Sequence, residues 1–238
     1  MTSLLQRAAA PLGAVSAATF ATLSRLRGKR VFHPYGDAFE ARISMRPNSA
    51  RWVPALMTSP REHEAIVRFS RGLGLPESLP DFLGLALKLP DLYGPGWDQD
   101  FLFVTSGADT VSRHALVPSR GFLARPYSTV LPYRRHGALV TYGAKPHGIG
   151  DRAATMDALK TLVDAGSVAF DITAAQEGDP FVVIGRLDIV ALRDPALSDK
   201  LRFNPWNSFA DTRPAGALNE LRRESYRASQ AARPDTKT

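Results

Sequence analysis

Residues 64–89 read EAIVRFSRGLGLPESLPDFLGLALKL, two short runs of β-forming residues separated by a loop studded with Gly, Pro and Asp. The second run, LGLALKL from Leu83, repeats with period two, and the first, EAIVRFS, is rich in β-formers. Working outward, the same period recurs. AFEARISM sets Phe39, Ala41, Ile43 and Met45 against Glu40, Arg42 and Ser44, SVAFDITA from Ser167 and FVVIGRLDIV from Phe181 alternate likewise, and FLFVTS is again rich in β-formers. Alternation sends successive side chains to opposite faces, so each run can bury one face and wet the other. Many such runs between Pro and Gly loops predict an antiparallel barrel. Helix signals are confined to Asp151–Ala165, a turn near Pro195–Lys200 and the two termini, with Pro214 suited to the first turn of the C-terminal helix, and no internal repeat interrupts the pattern.

At 238 residues and 44% hydrophobic content the chain can bury one sizeable core. It has no cysteine, which excludes disulfides, zinc-thiolate sites and a thiolate-bound haem. The net charge is +7, and the first 36 residues hold Arg7, Arg25, Arg27, Lys29 and Arg30 with no acid. Such an arm raises nucleic acid or an anionic membrane as partners. Zinc-ligand spacing, RNA-binding aromatic motifs and a glycine-rich phosphate loop are all absent from the sequence, so a nucleic-acid partner is not expected. Pro11, Arg7 and Arg25 make Leu4–Leu26 a poor membrane span. Its residues Val15, Ala18, Thr22, Leu23 and Leu26 share one helical face, which suits a helix lying across a barrel, a membrane surface or a partner subunit. The expected organisation is a helical arm over 1–27, one domain over 28–233 and a disordered tail over 234–238. A cytoplasmic location is expected, with a cleaved leader as the other option.

Near the C-terminus Arg222, Tyr226 and Arg233 fall at i, i+4 and i+11, one stripe on a helix. Two cations flanking a phenol favour the phenolate, which is what a tyrosinate metal ligand requires. Read alone, the same stretch with Leu218 and Leu221 also fits a surface helix carrying a half-buried tyrosine.

Taken in order, GKRVFHPYGDAFEARI, IVRFSRGLGLPESLPDFLGLALKL, WDQDFLFVTS and the Arg222–Tyr226–Arg233 stripe resemble segments of the catalase superfamily, nearest its short haem peroxidases. The resemblance implies an α+β fold, an antiparallel β-barrel with a C-terminal helix carrying the proximal haem ligand. It implies haem b as cofactor, with Tyr226 as the iron ligand and Arg30, Arg68, Arg222 and Arg233 around the haem. His33 would be the distal acid/base and Ser70 the hydroxyl that orients it. The implied activity is a haem-dependent peroxidase or catalase-related oxidoreductase acting on hydrogen peroxide or organic hydroperoxides, with an unidentified reducing substrate. A fatty-acid hydroperoxide isomerase, or a non-catalytic haem- or lipid-binding barrel, is the alternative, and a homo-oligomer is compatible with all of these.

The chain departs from the catalase pattern in two places. Phe32 precedes the histidine where a smaller aliphatic residue is usual. Asp98 or Gln99, followed by Asp100, stands where catalases place a distal Asn. Carboxylates there are expected to repel a peroxide anion and so to favour peroxidase chemistry over dismutation. Residues 107–164 carry no motif that can be placed.

Overall fold

Alternating strands bury one face only if they find partners on both edges, and here the sheet meets that demand by closing on itself. The computed structural model describes residues 35–47, 49–58, 62–148, 153–198, 200–208, 212–216 and 219. Its strands are β1 (Tyr35–Met45), β2 (Glu62–Arg71), β3 (Leu83–Leu89), β4 (Gln99–Thr105), β5 (Tyr127–Ser128), β6 (Tyr133–Arg135), β7 (Ala138–Pro146), β8 (Ala169–Gln176), β9 (Val182–Leu192) and β10 (Thr212–Pro214). Among the described residues two α-helices interrupt them, α1 (Met156–Asp164) and α2 (Pro195–Ser198). All pairings are antiparallel, in the order β10-β6-β7-β5-β4-β3-β2-β1-β9-β8, and a further β7–β8 pairing closes an eight-stranded barrel that leaves β6 and β10 as a side ribbon. The antiparallel barrel expected from the sequence is therefore present.

The barrel interior is filled with rings. Phe69 of β2 lies 5.7 Å from Phe39, 5.8 Å from Phe122 and 5.7 Å from Phe170, mostly edge-to-face. Phe101, Tyr133 and Tyr142 form a second group with centroids 5.0–5.5 Å apart. Edge-to-face pairs add about 0.5–1.5 kcal/mol each beyond the area they bury.

Helix α1 starts at Thr155, whose hydroxyl accepts the Ala158 N–H at 3.1 Å, and ends before Gly166, whose φ of +64° suits a residue without Cβ. Leu159 and Val163, one turn apart, bury its inner face. The helix covers the core of the expected Asp151–Ala165 span, with 151 and 152 outside the described residues. β6 turns into β7 through His136 and Gly137, at φ +46° and +82°, as a two-residue hairpin with positive φ at both centres. One expectation fails. Pro214, read from sequence as the first turn of the terminal helix, ends β10 opposite Tyr133, at a sheet edge where a missing N–H costs no ladder bond.

Candidate functional site

Strand β2 runs between β1 and β3, and its alternation divides the residues that matter here. Phe69 points into the core, so Arg68 and Ser70 stand on the outer face. In register, Ser70 lies between Gly36 and Gly84, and Arg68 lies between Ala38 and Ala86. One strand further, Leu102 and Val104 extend the two rows. Between β1 and β3 these two rows are thus a floor of glycine and alanine from which the Ser70 hydroxyl and the Arg68 guanidinium rise, with Leu102 and Val104 at its β4 side. Gly36 is obligatory, because a Cβ there would sit 2.2 Å from the Phe69 carbonyl oxygen and 2.7 Å from the Ser70 Cβ. Ser70 is buried and Arg68 half-buried.

The strand ends beside this floor are held by a clamp that no motif in the sequence announces. Arg71, 5% exposed, donates to the carbonyls of Leu75, Pro76 and Leu79 at 3.1, 3.2 and 2.7 Å. Asp81, 1% exposed and 3.9 Å from Arg71, accepts the N–H groups of Leu73, Leu75 and Phe82. Together they fold the loop between β2 and β3 back on itself. The Asp at the loop's end, bracketed by Gly and Pro, is the one local signal for it.

Asp98 and Asp100 are not free pocket carboxylates, which corrects the expectation drawn from sequence. Lys88 Nζ lies 2.7 Å from Asp98 Oδ2 and 2.8 Å from Asp100 Oδ1, the latter a charge contact outside hydrogen-bond alignment. Burial pushes the Asp100 carboxyl up to about 6 against the opposing pull of Lys88 and the Asn204 and Asn207 donors. At Asp98 burial also pushes upward, but the Lys88 hydrogen bond and the Asp91 N–H outweigh it and hold the carboxyl below its ordinary value. In register Asp100 sits opposite Lys88 and Ile66, four residues along β2 from Ser70, or roughly 13 Å at a strand's rise. Neither acid is poised to repel an anion beside Ser70. Gln99, fully buried, accepts from the Tyr93 hydroxyl at 2.8 Å.

Of the other site residues expected from the sequence, Arg30, His33, Arg222, Tyr226 and Arg233 lie outside the described residues. β1 begins at Tyr35, two positions after His33 in the chain, and Tyr35 pairs with Arg71 next to Ser70. Two described tyrosines of the core, Tyr127 and Tyr142, are unlike a tyrosinate. Tyr127 donates to the Phe122 carbonyl at 2.7 Å and burial pushes its phenol well above the ordinary value, while Tyr142 donates to the Trp52 carbonyl. Among the described histidines, His114 Nδ1 bonds the Val130 carbonyl at 2.8 Å and His147 pairs with Asp171 at 2.8 Å. No cluster of three or more His, Asp or Glu suited to a metal ion occurs among the described residues.

The described strands thus close an eight-stranded antiparallel barrel with a floor of small residues on its outer face. The chain superposes on a fungal catalase with a TM-score of 0.66 and 11% identity over 92% of its length. It superposes on catalase A from Saccharomyces cerevisiae with a TM-score of 0.65 and 12% identity over 90% of its length. The match spans 62% and 63% of those two chains. No protein-family model and no curated protein matches the sequence. At such identity the likeness establishes the catalase-like fold.

Proposed function

We propose that the chain is a haem-dependent oxidoreductase that consumes hydrogen peroxide or an organic hydroperoxide. The observation that carries this reading is the outer floor of Gly36, Ala38, Gly84 and Ala86, with Arg68 and Ser70 standing on it, in a barrel whose solved neighbours are catalases. A flat macrocycle with carboxylate edges needs a level surface of small side chains and a cation at its rim, and these residues fit that need. When bound, the haem supplies a redox-active ferric iron.

The chain's own residues then have distinct tasks. Arg30 and Arg68 would pair with the carboxylates of the group. Tyr226 would hold the iron as an anion, favoured by Arg222 and Arg233. His33 would carry a proton from one oxygen of the hydroperoxide to the other, and the Ser70 hydroxyl would keep the imidazole in one tautomer. With Asp98 and Asp100 engaged by Lys88, no carboxylate penalty against peroxide is assigned to this pocket.

Expression with ample haem followed by absorption spectroscopy tests the reading. A Soret band with ferric high-spin features is expected, and Tyr226→Phe should lose the haem or its tyrosinate charge-transfer bands. Unchanged bands in that variant would falsify the ligand assignment, and protein purified without any Soret band from haem-supplemented cells would sink the haem reading. His33→Ala should keep the haem and consume hydroperoxide at least ~100-fold more slowly, the usual scale for a positioned proton-transfer group.

A further inference from the structure

Away from Arg68 and Ser70, the outer face carries a second polar construction that the proposed chemistry does not use. Lys88 of β3 and Asp100 of β4 face each other in register, 5% and 0% exposed. Lying over them is the turn from Phe203 to Asn207. Asp100 Oδ2 accepts the Asn204 N–H at 2.8 Å and the Asn207 Nδ2 at 3.0 Å, and the Asp100 N–H donates to the Asn207 carbonyl at 2.9 Å. The turn is wound before it docks. Asn207 N–H donates to the Asn204 carbonyl at 2.8 Å, and Asn204 Oδ1 accepts the Trp206 N–H at 3.1 Å. The Phe203 ring lies 5.6 Å from the Lys88 ammonium.

A leucine pair under a covering loop would give as much stability or more, since desolvating two charges offsets most of their attraction. What the ion pair adds is direction. Apolar contacts tolerate sliding, whereas Asp100 is satisfied only when both Asn204 and Asn207 are in one place. The Lys88–Asp100 row lies two residues, or roughly 7 Å, from the Ala86–Leu102 row that flanks Arg68 on the same face. Beyond Asn207 the chain pairs with β6 as β10, and Arg222, Tyr226 and Arg233 follow.

We infer that Asp100, with Lys88, is a positioning residue that fastens the Asn204–Asn207 turn in a single register on the outer face and so sets the path by which the chain enters β10, from whose pairing with β6 it continues toward Tyr226. The step from turn to ligand rests on the haem reading above. The step from Asp100 to turn does not.

Three variants separate them. Asp100→Ala removes both acceptor oxygens, Asp100→Asn keeps the shape and one acceptor, and Val163→Ala in α1 provides a destabilisation remote from the turn. Amide exchange on haem-free protein should show the Asn204 N–H exchanging roughly tenfold faster or more in Asp100→Ala, less so in Asp100→Asn, and at the wild-type rate in Val163→Ala. Haem titration should then show affinity lowered by roughly tenfold or more and shifted ferric charge-transfer bands in Asp100→Ala, partial recovery in Asp100→Asn and neither change in Val163→Ala. Asn204 exchange that follows global stability alike in all three variants overturns the clamp. Faster exchange with wild-type haem affinity and bands overturns the positioning role. If Tyr226→Phe leaves the bands unchanged while Asn204 is still released by Asp100→Ala, the ligand assignment has failed and the clamp stands. Should Asp100→Ala not fold, Asp100→Asn and Asn207→Ala carry the same two measurements.

Discussion

On the inner face of β2, Val67 and Phe69 are wholly buried among aromatic rings, whereas on its outer face Arg68 and Ser70 look across glycine and alanine. The inner positions Ala65, Val67 and Phe69 are all apolar and buried. The outer positions are stripped of volume, yet Ser70 is as inaccessible as much of the core. A single strand thus serves as structural wall and as site floor, and period-two geometry keeps the two duties apart.

Substitutions on the two sides should separate accordingly. The largest effect is expected for Phe69→Ala, which deletes the ring that touches Phe39, Phe122 and Phe170 and should cost about 3–5 kcal/mol of stability. Denaturant unfolding measures it, and a loss below ~1 kcal/mol would mean that the barrel interior is far more plastic than its packing implies. Gly36→Ala places a methyl against a backbone oxygen that cannot rotate away, so about 1–3 kcal/mol is expected although the change is made on the outer face. If it proves neutral, the floor beside Ser70 has room that the close approach of β1 and β2 denies.

Ser70→Ala should lie within ~1 kcal/mol in stability, as for loss of one hydrogen-bonding hydroxyl, yet slow hydroperoxide turnover by roughly tenfold with haem spectra unchanged. Equal turnover by mutant and parent would remove Ser70 from the proposed chemistry. The smallest effect concerns a site on neither face. Asp109 accepts from the Ser112 hydroxyl and from the Ser112 and Val111 N–H groups, which holds its carboxyl down to about 2 from an ordinary 3.8. A depressed carboxyl contributes stability that is present above its unfolded value and is lost as pH falls through the folded one. Between pH 4 and 2 the melting temperature of Asp109→Asn should therefore decline slightly less steeply than that of the parent. Parallel curves would show that the Ser112 turn contributes nothing to acid sensitivity.

What is legible in the sequence follows the same division. β1, β3, β8 and β9 announce themselves by alternation, and β2 and β4, whose outer faces also carry Ile66, Leu102 and Val104, by their richness in β-forming residues. β7 does not, since it pairs with β5, β6 and β8, and Val140 through Ala144 are buried without alternation. β5 and β6, with two and three residues, are shorter than any period can register. His136–Gly137 hides a hairpin turn because histidine is an unusual first residue for it. That Arg68 and Ser70 share a face is legible, as it must be for i and i+2 of one strand. The duties of Asp98 and Asp100 are not. Asp100 finds Asn204 and Asn207 across 104 and 107 positions, and the ammonium that neutralises it belongs to a different strand. No local pattern encodes such a meeting.

The side ribbon bears on how the molecule behaves in a crowded solution. Closure leaves β10 as the free edge of the described sheet, and an open edge is where two chains begin to polymerise. Here that edge is three residues long, ends in Pro214, which has no N–H to offer, and presents Arg213 next to the exposed Arg134 of β6. Thr212 and Pro214 are themselves buried, so a second chain approaching this edge would meet little beyond the exposed Arg213. The ribbon that looks like an afterthought to the barrel thus ends the described sheet on an edge that offers little for another strand to pair with.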